Sequence, residues 1–266
     1  MMTFPNMTVV GGGQMARALL GGMLKQGLTV ESSIQVVDVQ SDCRQWWQQN
    51  HPGVTATEDL AGAIRSSEMV LLAVKPPVVP VVLNQADWAG RLIVSIAAGV
   101  SLNTLVEGVG HGRVARVMPN TPAMVGQGAS GVCFGTKVSS DDRRHVSEML
   151  TSVGVVVSVA ETQMDAVTAL SGSGPAYVFL MIEAMADGGV AAGLPRETAI
   201  ELATQTVLGA ATMVRNTGMH PGQLKDNVCS PSGTTIAAIE HLEQNAVRGA
   251  MIGAIQKAAA RSRELG

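Results

Sequence analysis

An α/β domain followed by an all-α domain is the architecture this sequence predicts, and three observations predict it. Short β-branched runs alternate with polar or helical stretches through the first 160 or so residues, the pattern of βαβ units and a parallel sheet. Those runs are almost continuously apolar, as expected for strands covered on both faces. From about Glu161 the texture changes to alanine-rich segments with helical apolar spacing, punctuated at the joins by glycine and proline. The expected division is therefore 1–160 and 161–266.

Taken in order, the candidate strands are Met7–Val10, Ile34–Asp38, Met69–Val74, Leu92–Ala97, Arg113–Met118, Gly131–Phe134 and Val155–Val159. An amphipathic stretch, Met15–Lys25, lies between the first two. In the second half the candidate helices are Pro175–Gly189, Pro195–Thr217, Pro231–Gln244 and Ala246–Leu265. These helices are very apolar for so few layers, and aromatics make up only 3% of the chain. Small side chains let helices approach closely, yet a lone copy would leave much apolar surface in water. Two chains are expected to bury it together.

Composition excludes several classes. Lys+Arg 18 against Asp+Glu 21 gives a net charge of −3 with no basic cluster, so no nucleic-acid partner is expected. With 46% hydrophobic and 15% charged residues, long disordered stretches are not expected either. Met69–Leu83 is broken by Lys75 and three prolines, and Ile93–Leu102 is too short to span a bilayer. The N-terminal residues lack a basic region followed by a signal-type apolar stretch. Cys43, Cys133 and Cys229 are widely spaced, with no CxxC or metal-ligand pattern, so reduced thiols, a cytoplasmic location and no metal are expected.

The first candidate strand runs into Gly11-Gly12-Gly13-Gln14-Met15-Ala16, a G-x-G-x-x-A fingerprint that opens a helix. In this Rossmann-type arrangement Gly11 makes the tight turn, Gly13 admits a pyrophosphate, and Ala16 keeps helix and strand close. The helix start, with Gln14 and Met15, offers free amides and partial positive charge to phosphates. Asp38, some 22 positions beyond Ala16, ends the second strand. It is placed to accept hydrogen bonds from the adenosine ribose hydroxyls and to repel a 2′-phosphate, which favours NADH over NADPH. Ser41 and Arg44 are near enough in sequence to offset that repulsion, and Asp38 also reads as an ordinary strand-end turn residue. Ala73-Val74-Lys75-Pro76 closes the third strand at the edge where ligands meet such sheets; Lys75 reads equally as a ribose contact and as a solvated strand end. Ala97, Ala98 and Gly99 leave room for a flat ring after the next strand. Asn120, between two prolines, reads either as an amide offered to nicotinamide or substrate, or as a turn residue.

A second feature lies far along the chain. In Ser230-Pro231-Ser232-Gly233-Thr234-Thr235, Ser230 reads as an N-cap with Pro231 at the first helical position. The amides of Ser232, Gly233 and Thr234 would then lack partners and form an anion site, with Thr235 reaching deeper into the ligand. A small carboxylate suits this loop better than a phosphate, because Lys225 is the one basic residue flanking it closely. The same residues also read as a well-capped helix with incidental threonines. His51, His111, His145, His220 and His241 are scattered, and no Ser/Tyr/Lys constellation supplies an acid. That favours an acceptor that arrives already protonated, such as a cyclic iminium, needing positioning more than acid catalysis.

Six blocks together resemble the pyrroline-5-carboxylate reductase family. They are Gly11–Ala16, Ala73–Pro76, Ser95–Val100 (SIAAGV), Arg116–Pro122 (RVMPNTP), Ser171–Tyr177 (SGSGPAY) and His220–Thr235 (HPGQLKDNVCSPSGTT), in order through both halves. The resemblance implies a Rossmann-type NAD(P)-binding domain and a helical dimerisation and substrate-binding domain, often within a larger ring of dimers. It implies reduction of 1-pyrroline-5-carboxylate to L-proline by NADPH or NADH. It also implies that Gly11, Gly13, Gln14, Met15, Ala73, Val74, Lys75, Pro76, Ala97, Ala98, Gly99 and Asn120 line the cofactor. Ser230, Gly233 and Thr234 would take the substrate carboxylate and Thr235 would face the imine nitrogen, the loop completing the site across the dimer. Two positions depart from the family pattern: Ser232 stands where a glycine is usual, and Asp38 where many NADPH-using members carry Ser, Thr or Asn. A related imine or 3-hydroxy-acid dehydrogenase is a second reading, disfavoured because Met164–Gly189 holds no lysine to act as acid or base. A non-catalytic NAD(H)-responsive dimer is a third, and it would have no need of the distal loop.

Overall fold

The computed structural model describes residues 4–265. They form two compact units, one running to Ser173 and including the stretch from Ala258 on, the other Gly174–Lys257.

In the first unit, strands β1 (Met7–Val10), β2 (Ile34–Val37), β3 (Thr55–Thr57), β4 (Met69–Leu72), β5 (Leu92–Ser95), β6 (Val114–Met118), β7 (Gly128–Phe134) and β8 (Gly154–Ser158) make one sheet in the order β3-β2-β1-β4-β5-β6-β7-β8. Helices α1 (Gln14–Lys25), α2 (Ser41–Asn50), α3 (Leu60–Arg65), α4 (Val79–Leu83), α5 (Leu102–Val109) and α6 (Ser140–Thr151) connect them. The central strands β1 and β4 are buried at every residue, as continuous apolar sequence demands of a sheet covered on both sides. One face packs on α1, α2 and α6 through Leu19, Leu20, Met23, Trp47, Met149 and Leu150; the other packs through Ile64, Val79, Leu83, Trp88 and Leu105. Each such large apolar side chain, fully buried, contributes about 1.5–3 kcal/mol of transfer free energy.

Three features of the sheet differ from expectation. All pairs are parallel except β6–β7, which is antiparallel. Only Pro119–Gln127, with a short 3₁₀ turn at Thr121–Val125, joins those strands, and a parallel return needs a crossover of a dozen or more residues. β3 is an additional short edge strand, too polar and too brief to stand out in the sequence. The strands also stop earlier than expected, at Val37, Leu72 and Ser95, so Asp38, Ala73–Lys75 and Ala97–Gly99 lie in the loops beyond them.

After β8 the chain forms α7 (Met164–Val167) and a π-helical turn at Thr168–Gly172. The second unit follows with α8 (Gly174–Ala191), α9 (Arg196–Thr217), α10 (Pro221–Asn227), α11 (Thr234–Gln244) and the greater part of α12 (Val247–Leu265). The end of α12 belongs to the first unit, where the Ser262 hydroxyl donates to Asp165 at 2.7 Å. Helices α8 and α9 pack through Ala186, Ala199 and Ala203, small residues that permit close approach but bury little. Phe179 is 63% exposed and Leu180 66%, and Leu208 and Ile252 are also open, which is the wet apolar surface expected of a single copy.

Candidate functional site

The nucleotide half of the site is built where β1 meets α1. Gly11 has φ +96°, and its N–H donates to Val37 O at 2.8 Å. A Cβ there would lie 2.8 Å from Ala73 O, so only glycine fits between the ends of β1 and β4. Gly13 is the N-cap of α1, has no side-chain cap bond, and would carry a Cβ into open space. The first turn of α1 contains no acidic residue, leaving its amides and dipole end available to an anion. Ala16 is fully buried against the sheet.

A glycine that the fingerprint reading passed over, Gly12, fixes the loop. Its N–H donates to Asp38 Oδ2 at 2.8 Å, and its carbonyl accepts from Trp47 Nε1 at 2.9 Å and Arg17 Nε at 3.2 Å. Arg17 also stacks over Trp46 at 3.9 Å from the ring centroid. Asp38 accepts a further bond from Gln40 N–H at 2.9 Å, so one carboxylate organises both the fingerprint and the turn after β2. Arg44 donates to the Asp38 carbonyl at 2.8 Å and pairs with Glu58 at 3.5 Å, while the Ser41 hydroxyl turns to Asp42. Burial, followed by the neighbouring Asp38, pushes the Cys43 thiol up and keeps it protonated beside this loop.

A groove of about 260 Å³ at the C-terminal edge of the sheet is lined by Met15, Ala73, Val74, Lys75, Ile96, Met118 and Pro119. Lys75 is exposed and leads into a 3₁₀ turn that begins at Pro76. Ala97 is buried, Ala98 is exposed, and Gly99 sits at φ +75°. Asn120 is buried, and its amide group serves the fold: Oδ1 accepts from Ala129 N–H at 2.8 Å and Nδ2 donates to Ser171 O at 3.1 Å. The Asn120 backbone carbonyl accepts from Ala123 N–H at 3.2 Å, so one hydrogen of the side-chain amide remains for a ligand.

Behind this edge lies a cluster that sequence reading did not single out. Glu161 Oε1 accepts from the Leu102 N–H at 2.9 Å and from Arg116 Nη1 at 2.5 Å, and Oε2 accepts from the Cys133 thiol at 2.7 Å. Burial works to raise the Glu161 carboxyl, but the bonds from Cys133, Leu102 and Arg116 outweigh it and hold it below its ordinary value. Burial, and then Glu161, push the Cys133 thiol up to about 12.

In the second unit the distal loop corrects the expected cap. Helix α11 begins at Thr234 with Gly233 as N-cap, rather than at Pro231 with Ser230 as N-cap. Ser232 adopts φ +56°, a left-handed conformation that cannot belong to a helix, and it delays the start past Pro231. The Gly233 N–H closes a turn onto Ser230 O at 3.1 Å, so it is not one of the free amides. The unpartnered positions of the first turn are instead Thr234, Thr235 and Ile236, with no side-chain cap and no acid among them. A side chain at Gly233 would collide with the Ser230 hydroxyl. Thr235 is half-buried at the second helical position; Ser230 and Thr234 are exposed.

The histidines all have local partners: Glu31 for His51, Trp88 O for His111, the Phe4 ring for His145, Gly222 N–H for His220 and Asn245 for His241. Among the described residues no His/Cys/Asp/Glu group is arranged to hold a metal, and the three cysteines are free. No described helix is long and apolar enough to cross a membrane.

A largely parallel sheet with a G-x-G-x-x-A turn at its first helix, followed by a helical unit, defines a Rossmann-type dinucleotide-binding protein with a C-terminal α-domain. Residues 6–99 match the family described as NADP oxidoreductase, coenzyme F420-dependent, and residues 161–265 match pyrroline-5-carboxylate reductase dimerisation. The pyrroline-5-carboxylate reductase of Glycine max is 45% identical over 96% of this chain and 94% of its own. A solved pyrroline-5-carboxylate reductase from Coxiella burnetii superimposes with a TM-score of 0.92 at 35% identity, covering 99% of both chains. That of Plasmodium falciparum, with NADP bound, gives 0.88 at 31% identity over 100% of both. The chain belongs to the pyrroline-5-carboxylate reductase family.

Proposed function

We propose that the chain reduces 1-pyrroline-5-carboxylate to L-proline, with a nicotinamide dinucleotide held at the end of the sheet in residues 1–160 and the acid held by the helical part, 161–266. The observation that carries this reading is kinship over the full chain, which includes both the fingerprint and the distal loop. The residues fit such a cofactor: the space at Gly13 and the uncapped start of α1 suit a pyrophosphate, and the Ala73–Lys75 groove with Ala97–Gly99 suits a flat ring. Bound there, a reduced nicotinamide supplies hydride to the C=N carbon. The substrate nitrogen carries its own proton, which agrees with histidines engaged elsewhere.

The helix start at Thr234–Ile236 binds the substrate carboxylate through backbone amides, with Ser230 and the Thr234 hydroxyl beside it. Gly233 keeps side-chain bulk away from that spot, and Thr235 orients the ring through its hydroxyl. On the nucleotide, Asp38 supports NADH, while the solved relative with NADP bound supports NADPH. The exposed apolar residues of α8, α9 and α12 support a homodimer through the C-terminal helices. The larger ring of dimers rests on the family resemblance, and the cytoplasmic location on the three free thiols. Steady-state oxidation of NADH and of NADPH, each with and without pyrroline carboxylate, tests the proposal. Turnover that depends on the acid supports it; no turnover with either nucleotide overturns it.

A further inference from the structure

The cluster around Glu161 joins elements far apart in the chain to one loop of the site. Ser95, Arg116 and Cys133 are register partners across β5, β6 and β7, so their side chains emerge in one row on one face of the sheet. Glu161 closes over Arg116 and Cys133 of that row, and its remaining reach goes to the N–H of Leu102, the first residue of α5. That N–H has no partner within its helix, and a carboxylate there also meets the positive end of the helix dipole. Ser101 Oγ accepts from Thr104 N–H at 3.0 Å, so Glu161 and Ser101 together satisfy two of the first amides.

The segment between the end of β5 and the start of α5 is Ile96–Ser101, which contains Ala97–Gly99. Its near end is fixed by β5 and by Ala97 N–H donating to Ser95 Oγ at 3.3 Å; its far end is fixed by Glu161. Arg116 is two residues before Met118, which lines the groove from the next strand. The Arg116 side chain is only 9% exposed, so its charge depends on Glu161 for balance.

We propose that Glu161 is a positioning residue for the nicotinamide half of the cofactor: it ties the start of α5 to Arg116 in the middle of β6, and thereby sets the Ala97–Gly99 loop. The proposal rests on the reading that this loop lines the nicotinamide. Its consequence is selective. Loosening Glu161 weakens binding of the whole dinucleotide but not of its adenosine half, which is organised at the other end of the site by Gly12, Asp38 and Arg44.

The test is calorimetric binding of NADH, NADPH and ADP-ribose to the full chain. Glu161→Gln keeps the shape but removes the charge. Leu102→Pro deletes the donating N–H at the first helical position, where proline is tolerated, and the extended Ser101 (φ −70°, ψ 156°) suits a following proline. Both variants are expected to weaken NADH and NADPH about 3- to 30-fold while ADP-ribose stays within about twofold of wild type. Cys133→Ala, which spares the Arg116 and Leu102 bonds, should leave all three affinities unchanged. Equal weakening of ADP-ribose, or a matching loss in Cys133→Ala, would show a general structural role and overturn the proposal. Ala98→Leu, which obstructs the loop directly, separates the two claims. If it weakens NADH while Glu161→Gln and Leu102→Pro do not, the positioning role fails. If it leaves NADH binding untouched, the reading of the loop fails, and the proposal with it.

Discussion

Replacing Asp38 with serine should have two separable effects, because one carboxylate serves two purposes. Within the fold it accepts the buried Gly12 N–H at 2.8 Å and the Gln40 N–H at 2.9 Å. Serine is too short to reach both, and a buried donor left without a partner costs about 1–3 kcal/mol. For a chain of this size that corresponds to a fall in Tm of about 2–4 °C per kcal/mol. Toward the ligand, the lost charge removes repulsion of a 2′-phosphate. At an approach of about 5 Å in water-like surroundings, a phosphate of about −1.5 to −2 charge gains about 1.5 kcal/mol, roughly tenfold. The assay is thermal denaturation together with kcat/KM for NADH and NADPH. Asp38→Ser should lower Tm and raise the NADPH/NADH ratio about tenfold. Asp38→Asn, which keeps an acceptor for Gly12, should lose less stability while still shifting the ratio. An unchanged ratio in both variants would refute the ribose argument, and an unchanged Tm in the serine variant would refute the loop argument.

Other consequences can be measured on the same preparation. Gly233→Val, whose side chain meets Ser230, should raise KM for the acid at least about tenfold with little effect on nucleotide binding; an unchanged KM would count against the anion site. Thr235→Val should lower kcat with a stability change under about 1 kcal/mol, since among the described residues its hydroxyl makes no bond back to the helix carbonyls of the kind Thr206 and Thr212 make; wild-type kinetics would remove Thr235 from the site. Asp142 gives a pH signature. Burial works to raise it, but bonds from Arg113 and Ser139 prevail and hold it below its ordinary 3.8. Its contribution is therefore full above that pH and is lost as pH falls through the lower, folded value. Asp142→Asn should flatten the loss of stability in that acid window, measured by denaturant melts against pH; an identical slope would contradict the assignment.

What the sequence made legible was local. The fingerprint from Gly11 to Ala16 and helix α1 follow from glycine placement and a 3.6-residue apolar period, and the buried strands from unbroken apolar runs. Orientation was not legible in this way: β7 carries a strand pattern whether it runs parallel or antiparallel, and only the shortness of Pro119–Gln127 decides. Thr55–Thr57 is too brief and polar to signal a strand. The start of α11 was misplaced because Ser-Pro is a strong local cap signature, while the left-handed Ser232 that overrides it has no sequence mark of its own. The Glu161 cluster was hidden for a different reason. Its partners Cys133, Arg116 and Leu102 lie 28, 45 and 59 residues away, and only the sheet register brings them under one carboxylate. The Gly12 contacts were likewise missed, since Trp47 and Asp38 reach that carbonyl and amide from the next βα unit.

A crystal of the protein grown with oxidised nucleotide and soaked with proline or a cyclic proline analogue addresses the grip on the substrate most directly. The ligand carboxylate should accept hydrogen bonds from backbone N–H groups among Thr234, Thr235 and Ile236, with its ring facing the nicotinamide. A carboxylate bound at another place, or a start of α11 directed away from the nucleotide, would contradict the account.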